Sequence, residues 1–171
     1  MVEVKSEKAT IYLETTIISY LTSRPHRDII VAAQQELTRQ WWEIEKPRYR
    51  CYISPYVLEE ASAGDKQAAE KRIQTLQDIE VLPLFPEIES LAEKIGFALN
   101  IPMITRMDAF HFACAIYHKL DYLLTWNCSH LANGPRLKQL ALFLQKESLW
   151  QPLVYTPHEM IEPQEEDNHV H

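Results

Sequence analysis

Hydrophobic and polar positions follow two alternating patterns along the chain. Short runs of β-branched, aromatic and leucine residues, each ended by proline or a polar residue, predict buried strands at 9–14, 50–55, 80–86, 121–127 and 152–157. Between them, apolar residues three and four apart predict helices at 16–21, 28–46, 56–64, 65–78, 86–100, 105–117 and 131–147, with a helical turn at 158–162. This alternation predicts a three-layer α/β/α sandwich with a central, mainly parallel sheet.

Length and composition indicate one domain. The chain has 171 residues, of which 46% are hydrophobic, and no long polar linker divides it, so we expect a single domain over residues 1–162. The acidic segment 163–171 has no apolar periodicity and is expected to be disordered. Three cysteines, an odd number, indicate reduced thiols rather than a disulfide framework. No signal core or membrane-spanning run is present, so a cytoplasmic protein without a membrane partner is expected.

The net charge of the protein limits the kinds of ligand that it could bind. A formal net charge of −7 argues against a protein that coats nucleic acid through a basic face. An enzyme acting on nucleic acid remains open, provided that bound cations meet the phosphates. The three glycines are too sparse for a GxGxxG or a GxxxxGK(S/T) phosphate-binding loop. Nucleotide cofactors that bind through these two loops are therefore excluded.

Polar residues recur where predicted strands end and predicted helices begin. Glu14 and Asn127 end strands, whereas Asp108 and one of Glu59 and Glu60 lie in the first turns of helices. Strand C-termini and the helix N-termini that follow them share one rim of a parallel sheet, so these side chains are expected to converge. For Glu14 a second interpretation stays open, because it could simply cap the helix that follows.

Converging carboxylates need a cation. Two of them repel by about 4 kcal/mol at about 4 Å and an effective dielectric of 20. Oxygen ligands without a thiolate or imidazole cluster suit Mg²⁺ or Mn²⁺ rather than zinc. In proteins such ions promote in-line attack on phosphorus, which makes phosphodiester hydrolysis the expected chemistry.

Four short motifs in order resemble the PIN domain family, and more narrowly the VapC-type ribonuclease toxins. They are Glu14-Thr15-Thr16 after the first strand, the segment 53–64 with a glutamate before Gly64, Asp108-Ala109 opening an apolar helix, and Thr125-Trp126-Asn127 after a hydrophobic strand. The spacing from Ser54 in the second motif selects Glu60 over Glu59. The resemblance covers about residues 9 to 160 and departs from the family twice, because Glu14 replaces an aspartate and Asn127 replaces an acid.

The resemblance implies a metal-dependent endoribonuclease, usually a homodimer, held inactive by a cognate antitoxin that reaches into the acidic site. On this hypothesis Glu14, Glu60, Asp108 and Asn127 are catalytic. One Mg²⁺ or Mn²⁺ ion lies between Glu14 and Asp108, Glu60 orients water, and Asn127 completes the shell directly or through water. Two threonines of the motifs, Thr16 and Thr125, are accessory residues.

Other interpretations stay open. A PIN-like module with weakened metal binding would act by protein or RNA contact, using the helix 28–46 and its pair Trp41-Trp42. His111, three residues after Asp108, is interpreted as a hydrogen-bonded core histidine, with a mixed histidine and carboxylate metal site as the alternative. Cys128 and His130 are a weak candidate for a thiol nucleophile and its base, since no orienting acid is apparent.

Overall fold

A central parallel sheet organises the protein. The computed structural model describes residues 7–100 and 106–163. The strands are β1 (Thr10–Leu13), β2 (Arg50–Ile53), β3 (Glu80–Val81), β4 (Tyr122–Leu124) and β5 (Leu153–Tyr155). Their spatial order is β3-β2-β1-β4-β5, and every neighbouring pair is parallel. All five strands lie inside the segments predicted from the sequence.

In the described ranges, seven α-helices cover the sheet. They are α1 (Thr15–Thr22), α2 (Ile29–Gln40), α3 (Pro55–Ala61), α4 (Lys66–Leu76), α5 (Pro86–Ala98), α6 (Arg106–Tyr117) and α7 (Gly134–Lys146). The helices α5, α6 and α7 pack together, and α1 packs against α2, α3 and α4. The α/β/α sandwich predicted from the sequence is confirmed. None of the helices in the described ranges is long and apolar enough to cross a bilayer.

The predicted helix 28–46 is only partly continuous. Asp28 caps α2 as expected, accepting hydrogen bonds from the backbone N–H groups of two following residues at 2.8 and 3.2 Å. After Gln40 the chain continues as a π-helical turn over Trp41–Glu45 and a 3-10 turn over Lys46–Arg48. The π turn shifts the helical phase. Trp41 is therefore fully buried while Trp42 only covers the edge of the core.

Two predictions at segment ends differ from the structure or cannot be compared with it. Gly64 adopts a left-handed backbone with φ +84°, but α3 already ends at Ala61, so the glycine turns the chain after the helix rather than directly closing it. The predicted disordered segment 163–171 lies outside the described residues except for Pro163, as does Thr105 at the predicted start of α6. All three cysteines are free, as predicted.

The sheet changes direction between β1 and β4. From β1 the chain winds outward through β2 and β3, then returns to place β4 on the other side of β1. Leu13 pairs with Leu124, so the residues that follow, Glu14 and Thr125, leave the sheet side by side. Ligands of open α/β sheets bind at such a switch point, beyond the strand C-termini.

Candidate active site

Glu14 is both a helix cap and a member of a polar cluster. Its side chain is buried and accepts hydrogen bonds from the backbone N–H of Thr16 at 3.2 Å, the Thr16 hydroxyl at 2.5 Å and the Thr125 hydroxyl at 2.7 Å. Thr16 Oγ1 in turn accepts the backbone N–H of Trp126 at 2.8 Å. The two interpretations of Glu14 therefore hold together, since the cap places the carboxylate at the switch point.

Glu60, not Glu59, enters this cluster. Glu59 is exposed, whereas Glu60 Oε1 lies 2.7 Å from the Thr15 hydroxyl and 2.7 Å from Nε2 of His111. Burial raises the pKa of Glu60, but the hydrogen bond and charge of His111 outweigh it, and the net pKa is lowered. Adjacent residues of a helix point in directions about 100° apart, so the orientation of α3 turns Glu60 toward the cluster and Glu59 toward solvent.

His111 is held on both ring nitrogens. Its Nδ1 lies 2.8 Å from the hydroxyl of Tyr12, which lies 2.7 Å from Oγ of Ser54. His111 is almost fully buried. Burial lowers its pKa, yet the hydrogen bond to Glu60 and the charges of Glu14 and Glu60 raise it overall. The buried, hydrogen-bonded histidine predicted from the sequence thus contacts Tyr12 through Nδ1 and the acidic cluster through Nε2.

Asp108 lies in the first turn of α6, where helix N–H groups favour a carboxylate. Its Oδ1 accepts a hydrogen bond from Nδ2 of Asn127 at 3.2 Å. Its Oδ2 is buried and has no hydrogen-bond partner in the described part of the chain. Burial, reinforced by the charge of Glu14, raises the pKa of Asp108. A buried carboxylate oxygen without a partner destabilises the folded protein, and a cation bound to that oxygen would offset the loss.

The donor set fits a divalent cation. One ligand atom from each of Glu14, Glu60 and His111 lies within 4.8 Å of the others. The open oxygen of Asp108 belongs to the same end of the sheet, near enough for the charge of Glu14 to raise the Asp108 pKa. Carboxylates suit Mg²⁺ or Mn²⁺. The predicted ion position between Glu14 and Asp108 remains a prediction.

The four predicted residues lie at the same end of the sheet, with Glu14 and Glu60 grouped around His111 and Asp108 hydrogen-bonded to Asn127. Other residues at this end were missed by sequence reasoning. Tyr12 and Ser54 support His111, and Arg136 donates to Nδ1 of His130 at 3.0 Å. A tyrosine in a strand or an arginine in a helix carries no local signal of such a role. No hydrogen bond joins Cys128 to His130 in the described structure. The ring of His130 contacts Arg136 instead and lies 3.7 Å from Asp108.

The His111–Glu60 pair predicts a defined pH dependence in EDTA. The pKa of His111 is raised in the folded protein, so protonation of His111 contributes fully to stability below the ordinary histidine pKa of 6.5. This contribution is lost as the pH rises through the pKa of His111 in the folded protein. The pKa of Glu60 is lowered in the folded protein, so ionisation of Glu60 contributes fully to stability above the ordinary glutamate pKa of 4.5. This contribution is lost as the pH falls through the pKa of Glu60 in the folded protein. The stabilising effect of the pair is therefore greatest between these two pH values.

The measurement is urea unfolding of wild type and His111→Asn from pH 4 to 9. The difference in free energy of unfolding should peak between about pH 4.5 and 6.5 and shrink on both sides. His118→Asn is the control, because the ring of His118 faces the carbonyl of Pro83 rather than a carboxylate. A difference that does not change with pH would contradict the ion pair.

Fold and site together define the class of protein: an α/β/α sandwich with an acidic cluster at the switch point of a parallel sheet. The family model of the PIN domain matches residues 11–127, which is most of the chain. The protein belongs to the PIN domain family. Comparison of the sequence with functionally curated proteins finds no match.

Solved structures share this fold at low sequence identity. VapC20 of Mycobacterium tuberculosis, described as a sarcin–ricin loop cleaving toxin, is 17% identical with a TM-score of 0.57, over 73% of this chain and 95% of that one. A chain of VapBC2 from Rickettsia felis, solved bound to a DNA fragment from its promoter, is 13% identical with a TM-score of 0.55, over 86% of this chain and 98% of that one.

Proposed function

We propose that the protein is a metal-dependent endoribonuclease of a toxin–antitoxin pair. The observation that carries this proposal is the site itself. Two buried acids, Glu14 and Asp108, and the half-buried Glu60 lie at the end of the sheet where the strand order reverses, and one oxygen of Asp108 has no hydrogen-bond partner in the described residues. A buried acidic cluster of this kind destabilises the fold unless a cation binds it, so its cost indicates a function.

Each residue has a distinct part in the proposed site. Glu14, Glu60 and Asp108, with Nε2 of His111 beside them, would hold Mg²⁺ or Mn²⁺. Such an ion lowers the pKa of bound water and neutralises charge that develops on phosphorus. Thr16 and Thr125 fix the Glu14 carboxylate through their hydroxyls. Tyr12 holds the His111 ring, which in turn orients Glu60.

The structural neighbours support the proposed partners. VapC20 is described as a toxin that cleaves the sarcin–ricin loop, and VapBC2 was solved bound to a DNA fragment from its promoter. We therefore propose an RNA substrate, a cognate antitoxin, a homodimer and a cytoplasmic location for this protein. An antitoxin that presents a cationic side chain would neutralise the cluster of Glu14, Glu60 and Asp108.

The test is cleavage of a structured RNA pool by purified protein, with Mn²⁺ and with EDTA. Wild type should cleave only with Mn²⁺, and Glu60→Gln should lower the rate by about 10²-fold or more, because a charged ligand is lost. Glu59→Gln is the matched control, since it makes the same change on the neighbouring exposed residue and should cleave like wild type.

Two outcomes would overturn the proposal. Equal loss in both variants would mean that Glu60 has no special part in cleavage. If folded wild type neither cleaves with Mn²⁺ nor melts at a higher temperature in its presence, the site binds no metal, and the function is that of a PIN-like binding module.

A further inference from the structure

Beside the acids lies a pair of basic side chains, Arg136 and His130, that the proposed metal site does not use. Nη1 of Arg136 lies 3.0 Å from Nδ1 of His130, and the same ring nitrogen lies 3.7 Å from Oδ2 of Asp108. Arg136 is in the first turn of α7, and Asn133 caps that helix through a hydrogen bond to the backbone N–H of Arg136 at 3.2 Å. The guanidinium is therefore fixed one side chain away from the open oxygen of Asp108.

The arginine determines which nitrogen of His130 carries the proton. A guanidinium only donates hydrogen bonds, so Nδ1 of His130 accepts one from Arg136. The distance of 3.7 Å from Nδ1 to Asp108 is too long for a hydrogen bond, which agrees with an unprotonated Nδ1. The ring proton of His130 is then on Nε2. The His130 side chain is about one-third exposed and Arg136 is only partly buried, so both side chains are partly accessible to a ligand.

Asn127 fixes the position of His130 and occupies the space beside Asp108 where a second metal ion could bind. Its Oδ1 accepts the backbone N–H of His130 at 3.0 Å, which identifies the atom facing Asp108 as the amide nitrogen. Its backbone carbonyl accepts two further N–H groups of the same turn, from Leu131 and Ala132, each at 2.9 Å. A cation cannot lie between Asn127 and Asp108, because an N–H already points at Oδ1 of Asp108.

We propose that Arg136 supplies the second positive charge of this site. With Nε2–H of His130, its guanidinium binds a non-bridging oxygen of the RNA phosphate that lies against Asp108. The inference rests on the proposed nuclease function and makes the site a one-metal site. Two-metal nucleases place a second ion where charge develops on the phosphate. Here the turn built on Asn127 puts a permanent cation there instead.

Arginine suits this role for chemical reasons. Its planar fork matches two phosphate oxygens, and its charge does not depend on pH. Arg136 is partly buried beside the site, so its attraction to a phosphate is screened less than that of a fully exposed cation. The charge of Arg136 also reaches Asp108, where it opposes the rise in the Asp108 pKa that burial causes.

The first measurement is RNA binding by fluorescence anisotropy with a fluorescein-labelled 12-nucleotide single-stranded RNA in Mn²⁺ and rising KCl. The Glu60→Gln protein is used as background, and gels verify that the RNA stays intact. Adding Arg136→Gln should reduce the slope of log K against log [KCl] by about 0.7, the value for one lost contact with a single-strand phosphate. Lys138→Gln, on the same helix but about 200° away, should leave the slope unchanged.

The second measurement uses the otherwise wild-type protein. Arg136→Gln should lower kcat/KM by about 10²-fold, Arg136→Lys should recover part of it, and Lys138→Gln should match wild type. The rise in Tm on adding Mn²⁺ should persist in Arg136→Gln, which shows that the metal ligands are intact. A salt slope and kcat/KM in Arg136→Gln equal to those of Lys138→Gln would overturn the inference. Absence of cleavage in wild type would overturn the nuclease proposal alone, and the salt slope would still decide whether Arg136 binds phosphate.

Discussion

Replacing Asp108 by asparagine is expected to stabilise the metal-free protein and to abolish its activity. Asp108 is buried, and burial raises the pKa of its carboxylate, so ionisation of this group destabilises the fold. An amide removes that charge and still accepts the hydrogen bond from Asn127. The same change removes an anionic ligand from the proposed metal site. We therefore expect the free energy of unfolding to rise in EDTA.

In Mn²⁺ the order of stabilities should reverse. A cation at 100 times its Kd stabilises a native protein by about 2.7 kcal/mol, and Asp108→Asn should lose most of this gain together with about 10²-fold or more in cleavage rate. The measurements are urea unfolding in EDTA and in Mn²⁺, and RNA cleavage. Asp78→Asn makes the same change at an exposed position and serves as the control. An unchanged response to Mn²⁺ in Asp108→Asn would contradict the assignment of Asp108 as a ligand.

Replacing Asn127 by aspartate is expected to destabilise the metal-free protein strongly and to create a second metal site. One carboxylate oxygen can still accept the N–H of His130, so the turn keeps its anchor. The other replaces an N–H donor at 3.2 Å from Oδ1 of Asp108. Two carboxylates this close repel by about 5 kcal/mol at an effective dielectric of 20. We expect a loss of this order in EDTA at pH 8, recovered in Mn²⁺.

Titration with Mn²⁺ by calorimetry should give one ion for wild type and two for Asn127→Asp. The control is Asn133→Asp, which makes the same substitution at the cap of α7, where aspartate accepts the same hydrogen bond. It should change neither the stoichiometry nor the stability by more than a few tenths of a kcal/mol. Two ions in wild type would contradict the one-metal site. An Asn127→Asp protein as stable as wild type in EDTA would show that position 127 does not face Asp108 through its amide nitrogen.

Local patterns were sufficient for the architecture and for the general position of the site. Strand and helix periodicities depend on neighbouring residues, so the five strands and the buried helix α6 follow from the sequence. Polar residues at strand ends and helix starts share one rim in any parallel sheet, so the sequence predicts that Glu14, Asp108 and Asn127 lie at the same end of it. The break in the predicted helix 28–46 did not follow, because no proline or glycine marks the π turn at Trp41.

Tertiary structure decided what each polar group does. The sequence by itself determined that acids converge at the end of the sheet, because that depends only on chain direction and element order. Which atoms meet depends on strand register and helix phase, set by packing across the core. These long-range contacts turn His111 toward Glu60, direct the amide nitrogen of Asn127 at Asp108, and bring Arg136 to His130. No spacing in the sequence encodes those three contacts, since each joins side chains whose directions only the packed fold determines.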